Sequence, residues 1–154
     1  MNDLSSSVLE PVANAAADMY NGDPATDVVS TTNYHGVRFE ITEGAGATGT
    51  ATVTVEECTG TDGTGATAIA FRYRVKAGTA AWGAWTAATA SGFTTTAGAN
   101  YLYEVDVASD ELSDGSPYVR LQLTEVVDSA VVGAVNARAY RARFASEPPL
   151  GALA

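Results

Sequence analysis

An all-β chain folded as an antiparallel sandwich is the class this sequence predicts, on three observations. Apolar and polar residues alternate through a series of short runs, the pattern of strands with one face buried. Between those runs lie clusters of Gly, Asp, Ser, Thr and Pro that favour turns. Strand and helix signals do not alternate along the chain, which argues against a parallel α/β sheet; about eight or nine short strands are expected instead. The 154 residues suit one domain, and a chain of this size buries roughly 68–70% of its unfolded surface, enough to be stable without disulfide or metal.

Residues 1–34 read as an N-terminal arm. Ser7, Val8, Leu9, Val12, Ala13, Ala16 and Met19 have a loose helical spacing that Pro11 and the short side chains weaken, and Asn21-Gly22-Asp23-Pro24 breaks any helix. The β domain, 35–144, opens with Val37, Phe39 and Ile41 alternating with Arg38, Glu40 and Thr42. A Gly/Ala loop at 44–49 leads into Ala51, Val53 and Val55, alternating with Thr50, Thr52, Thr54 and Glu56. Residues 59–65 form a loop tip rich in residues tolerant of positive φ. Ile69, Phe71, Tyr73 and Val75 then face inward while Ala70, Arg72, Arg74 and Lys76 face outward, which predicts one central strand.

Trp82 and Trp85, an odd number apart, should face opposite ways in a regular strand and so place one ring in the core. A short strand and turn follow at 92–98. From Asn100 to Val135 three strands are expected, carried by Tyr101, Tyr103, Val105 and Val107, by Val119, Leu121 and Leu123, and by the run beginning at Val131; residues 109–117 interrupt the first two as a turn-rich loop. The last strand, 131–144, grows polar towards its end, as a charge-protected edge would. Residues 145–154, with Pro148-Pro149, form a tail. The spacing of Leu112 and Tyr118 resembles the tyrosine corner of immunoglobulin-like sandwiches, provided a bulge turns Tyr118 inward, because it is out of phase with Val119, Leu121 and Leu123.

Charge narrows the function. Eighteen acidic residues against eight basic ones leave a net charge of −10, which disfavours nucleic acid as a partner because phosphate binding needs Lys and Arg. The basic residues gather at 72–76 and 138–143, and these clusters suit either the outer faces of two strands or a local basic stripe. The N-terminus lacks the features of a secretory signal, and no segment is long and apolar enough for a membrane span, so the chain is expected to be made in the cytosol with no membrane partner. Cys58 is the only cysteine and reads as a small buried strand residue, which leaves no multi-cysteine metal site.

Motifs that match the spelling or composition of known sites fail on context. Gly44-Ala45-Gly46-Ala47-Thr48-Gly49 spells the dinucleotide fingerprint, but a Thr/Val strand follows where the pyrophosphate would need a helix N-terminus. His35, the only histidine, begins a strand, and no nucleophile elbow accompanies it. Asp106, Asp110, Glu111 and Asp114 are dense enough to suggest calcium, yet they lack the EF-hand spacing and read as a solvated acidic loop. Trp82, Trp85, Tyr101 and Tyr103 would form a sugar-binding platform only if they were exposed together; as strand residues they read as core. Neither catalytic residues nor cofactors are expected.

Several stretches do share a texture with a known group. Asn33-Tyr34, the run from Gly44 through Val53 and Val55 to Cys58, Ala68-Ile69-Ala70-Phe71-Arg72-Tyr73-Arg74, Tyr103-Glu104-Val105-Asp106 and the run from Tyr118 to Ser129 resemble the auxiliary head proteins of tailed bacteriophages, also called decoration or cement proteins. The resemblance spans about residues 31–140 and carries no ligand motif. It implies a virion structural protein on the capsid surface, with the major capsid protein as partner. A homo-trimer would match the three-fold repeat of such shells. The contact residues expected are Val8, Val12 and Met19 of the arm and Arg138, Arg141 and Arg143 of the last strand. The alternatives are a tail, neck or fibre protein, or a carbohydrate-binding module on the same sandwich.

Overall fold

The computed structural model describes residues 18–143, and the all-β antiparallel sandwich expected from the sequence is what forms. Ten strands follow in chain order: β1 (Val29–Ser30), β2 (Tyr34–Glu43), β3 (Thr50–Cys58), β4 (Thr67–Ile69), β5 (Phe71–Ala77), β6 (Thr86–Ala88), β7 (Phe93–Thr94), β8 (Tyr101–Ala108), β9 (Tyr118–Val127) and β10 (Gly133–Ala142). Sheet A has the order β1-β9-β3-β4, with β7 joining β3 beside β4, and sheet B the order β10-β2-β8-β5-β6. Every pairing is antiparallel.

Alternation decides which side chains meet between the sheets. Sheet B buries Val37, Phe39 and Ile41 from β2, Tyr103, Val105 and Val107 from β8, and Val135, Ala137 and Ala139 from β10; sheet A meets them with Ala51, Val53 and Val55 from β3 and Val119, Leu121 and Leu123 from β9. Aromatic rings fill one part of this interior: Tyr73 stacks on Phe93 with centroids 3.9 Å apart, and Phe71, Tyr101 and Tyr103 pack around them. Tyr101 and Tyr103 therefore belong to the interior and share no platform with the tryptophans.

Four expectations are corrected. The single central strand over residues 69–76 divides at Ala70: Ile69 pairs with Val55 in sheet A, whereas Phe71 and Arg72 pair with Ala88 and Ala87 in sheet B. Alternation specifies a face and not a sheet, and sandwich corners form where a strand crosses between layers at a bend. The tyrosine corner is not built. The β3–β9 register shifts only between Thr50 and Ala51, far from Tyr118, which stays half-buried opposite Cys58. Neither tryptophan enters the core, because residues 81–85 are not a regular strand.

The fourth correction concerns the arm. Its described part, residues 18–34, is built into the sandwich: Met19 and Tyr20 are fully buried, Val29 pairs with Val119, and Ala25 bridges Gln122. The backbone amide of Thr26 donates to the Leu121 carbonyl (2.9 Å), that of Leu123 to the Pro24 carbonyl (2.9 Å), and that of Thr31 to the Pro117 carbonyl (2.8 Å). The free edge of β9 would otherwise expose unpaired peptide groups, and this irregular segment satisfies them. Met19 is thus a core residue with no surface to offer a partner. Val8 and Val12 lie outside the described residues.

One buried carboxyl has no cation beside it among the described residues and is not fully hydrogen-bonded. Glu43, at the end of β2, is fully buried and accepts a hydrogen bond from the Tyr20 hydroxyl, while its Oε2 has no hydrogen-bond partner among the described residues. Burial pushes its carboxyl up from the ordinary glutamate value, and the Tyr20 hydrogen bond offsets part of that rise. A folded value above the unfolded one means that the group's contribution to stability is complete below the ordinary carboxyl range and is lost as pH rises through the raised value.

Two outcomes follow for urea unfolding. Phe39→Ala should lower the unfolding free energy by about 3–5 kcal/mol, the range for truncating a packed aromatic side chain. Glu43→Gln should become more stable relative to wild type as the pH increases from about 4 to 8, since the amide cannot ionise; a difference that stays constant across this range would show that Glu43 ionises as freely in the fold as in the unfolded chain.

Candidate functional site

The outer face of sheet B carries most of the positive charge of this acidic chain. Of eight basic residues, all but Arg120 and Arg143 lie in its strands. The outward side chains form cross-strand rows set by register. Arg138 lies opposite Arg38, Arg38 opposite Asp106, and Asp106 opposite Arg72; the next row runs Asn136, Glu40, Glu104 and Arg74. The two basic clusters of the sequence thus occupy strands on either side of β2 and β8, with Arg38 and Asp106 between them.

Asp106 organises the first row. It is only 2% exposed although it points outward. Arg38 donates from Nε and Nη2 to its Oδ1 (3.4 and 3.3 Å), and Arg72 donates from Nη2 to its Oδ2 (2.6 Å). Both guanidiniums keep contact with solvent, their side chains being 40% and 54% exposed, so the carboxylate holds them in place without using all of their donors. In the next row Arg74 donates from Nε to Glu104 Oε2 (2.6 Å).

The tryptophans fold across this frame. The Arg38, Arg72 and Arg74 guanidiniums lie 5.3, 5.8 and 4.7 Å from the Trp85 ring centroid, and Arg74 and Lys76 lie 4.7 and 6.0 Å from that of Trp82. Guanidinium groups over indole faces gain electrostatic and stacking energy. Trp85 remains 37% exposed and Trp82 is half-buried. On the other flank Tyr140 lies over Gly36, where a Cβ would collide with its hydroxyl oxygen and with the Val107 carbonyl oxygen. The bare backbone leaves room for the phenol, and Arg38 sits 5.7 Å from the Tyr140 ring centroid. Burial first, and then the Asp106 charge, push the Tyr140 phenol up.

The other sequence candidates separate. Arg138 is exposed and forms no ion pair among the described residues. Arg141 is exposed and adopts φ +51° at the end of β10. Arg143 is engaged within the molecule, its Nε donating to the Tyr34 carbonyl (3.1 Å) and its Nη2 to the Ser109 hydroxyl. Among the described residues the acidic side chains of this loop are not gathered into one cluster: Asp106 is committed to Arg38 and Arg72, and Glu111 accepts from the Ala108 amide (3.2 Å). His35 is exposed at the start of β2. An open depression of about 670 Å³ at the β4–β5 corner is lined mainly by alanines, with Arg72 and Glu111 as its charged residues.

The part played by Trp82 and Trp85 was not visible in their spacing. The signal that was present is the i, i+2, i+4 placement of Arg72, Arg74 and Lys76 on one strand face. What that face meets is settled by its neighbours β8 and β6.

Asp106→Asn should reduce the unfolding free energy by about 1–3 kcal/mol, a loss of charge-assisted hydrogen bonds tempered by the hydration available to exposed arginines. Tryptophan emission should shift to the red as Arg38 and Arg72 leave Trp85. An unchanged spectrum would mean that Asp106 does not hold the tryptophan platform. Comparison of the chain with protein-family models, with curated proteins and with solved structures gave no match.

Proposed function

We propose that this chain is a virion structural protein that binds the outside of a tailed-phage head and stabilises the expanded shell. The observation that carries the reading is the ordered Arg/Trp face of sheet B, an extended surface rather than a cleft. Trp, Tyr and Arg are the residues over-represented where protein interfaces gain most of their energy, and here all three are held in position before any partner arrives. The resemblance over about residues 31–140 supports the same reading, and a partner that repeats on a lattice would turn modest single-site binding into avidity. On this reading the major capsid protein is the partner, a homo-trimer matches the shell's three-fold repeat, and the protein performs no chemistry.

A glycan-binding module is the second reading, favoured by the exposure of Trp85. Sugars stack on bare indole faces, whereas those of Trp82 and Trp85 have arginines against them. The proposal is tested by co-sedimentation of the purified chain with heads of the encoding phage that lack it, in compact and expanded forms. Saturable binding to expanded heads is expected. Absence of binding to both forms would overturn the reading, and labelling at the tail would relocate the protein there.

A further inference from the structure

We infer that the outer face of sheet B is the docking site, and that its occupant is an acidic protein segment laid across the strands from β10 to β5. The inference deepens the reading above, in which the acidic segment belongs to the shell.

Charge complementarity identifies the chemistry. On this face Arg38, Arg72, Arg74, Lys76 and Arg138 are opposed by Glu40, Glu104 and Asp106, a local positive excess on a chain of net charge −10. The acidic remainder repels acidic partners from other directions, so attraction is concentrated here and orients the approach.

Arrangement narrows it further. Arg138 and Arg38 stand directly opposite each other on paired strands, a like-charge juxtaposition that weakens a sheet unless something compensates. Asp106 compensates Arg38 but not Arg138. The row from Arg138 to Arg72 crosses three strand spacings, about 14 Å at ~4.8 Å each. A segment crossing the strands can therefore place one carboxylate at Arg138 and another at the free donors of Arg72, with an apolar or aromatic side chain against Trp85 between them.

A protein suits this face better than a glycan for a physical reason. Arginines packed on the indole rings occupy space a stacked sugar would need, whereas the solvent-exposed guanidiniums of Arg38 and Arg72 can meet a carboxylate, which uses both donors of a guanidinium at once.

Binding to expanded heads is compared for wild type, Arg138→Glu, Trp85→Ala and Arg120→Gln. Arg138→Glu and Trp85→Ala alter the face, and Arg138→Glu breaks no ion pair among the described residues. Arg120 lies in sheet A, paired with Glu56 (2.7 Å), and serves as the control. The expected result is about tenfold weaker binding for Arg138→Glu and for Trp85→Ala, little change for Arg120→Gln, and wild-type binding that weakens as NaCl is raised. Equal binding by all four proteins would overturn the docking site while leaving the head-binding reading in place. If wild type binds no heads, that reading falls, and the docking site is judged by tryptophan fluorescence with poly-L-glutamate and polygalacturonate. Saturable change with poly-L-glutamate, reduced in Arg138→Glu, supports an acidic protein occupant; no change overturns it, and a response to polygalacturonate alone overturns it in favour of an anionic glycan.

Discussion

The register among β2, β8 and β5 is the constraint on which the rest of the molecule depends. Side chains on a strand alternate with period two, so a slip of one residue would move Phe39 and Val105 to solvent and carry Arg38 and Asp106 into the interior. In the observed register, Val37, Phe39 and Ile41 face the core together with Tyr103, Val105 and Val107, and the same pairing places Asp106 between Arg38 and Arg72. Core packing and the Arg/Trp face are two sides of one ladder. Whatever stabilises the hydrophobic side also holds the arginines in line.

Sheet A shows how the chain manages exposed backbone. The free edge of β9 is closed by residues 18–34, which contribute two strand residues, a bridge and several hydrogen bonds from irregular backbone. Where the β3 register shifts at Thr50 and Ala51, the Ala51 amide finds the Thr95 hydroxyl (3.1 Å), and the Thr95 amide returns to the Ala51 carbonyl (2.8 Å). At the other end of β3, Glu57 is buried and accepts from the Ser113 amide (2.7 Å), which ties the loop before β9 to the sheet. Irregular segments here are anchored because buried peptide groups must find partners.

Glu43 stands apart from this pattern. Its carboxyl is buried beside Tyr20 at the end of a strand whose inward positions are otherwise apolar. A neutral acid fits that environment far better than a carboxylate, since no cation accompanies it among the described residues. Its placement links the segment around residue 20 to the core of sheet B through one polar contact.

The strands of β2, β3, β8, β9 and β10 could be read from sequence because their inward residues repeat every second position, and burial follows directly from that period. The turns at residues 109–117 and the outward placement of Arg72, Arg74 and Lys76 were legible for the same local reason. The split at Ala70, the insertion of residues 18–34 and the position of Trp82 and Trp85 were not, because each depends on which strand lies alongside. Alternation assigns a residue to a face, whereas strand order and register assign its neighbours. Sequence by itself determined an acidic, all-β chain with a sandwich interior; only the tertiary structure decided that Arg38, Arg72, Arg74, Arg138, Trp82 and Trp85, distant along the chain, share one surface around a buried aspartate.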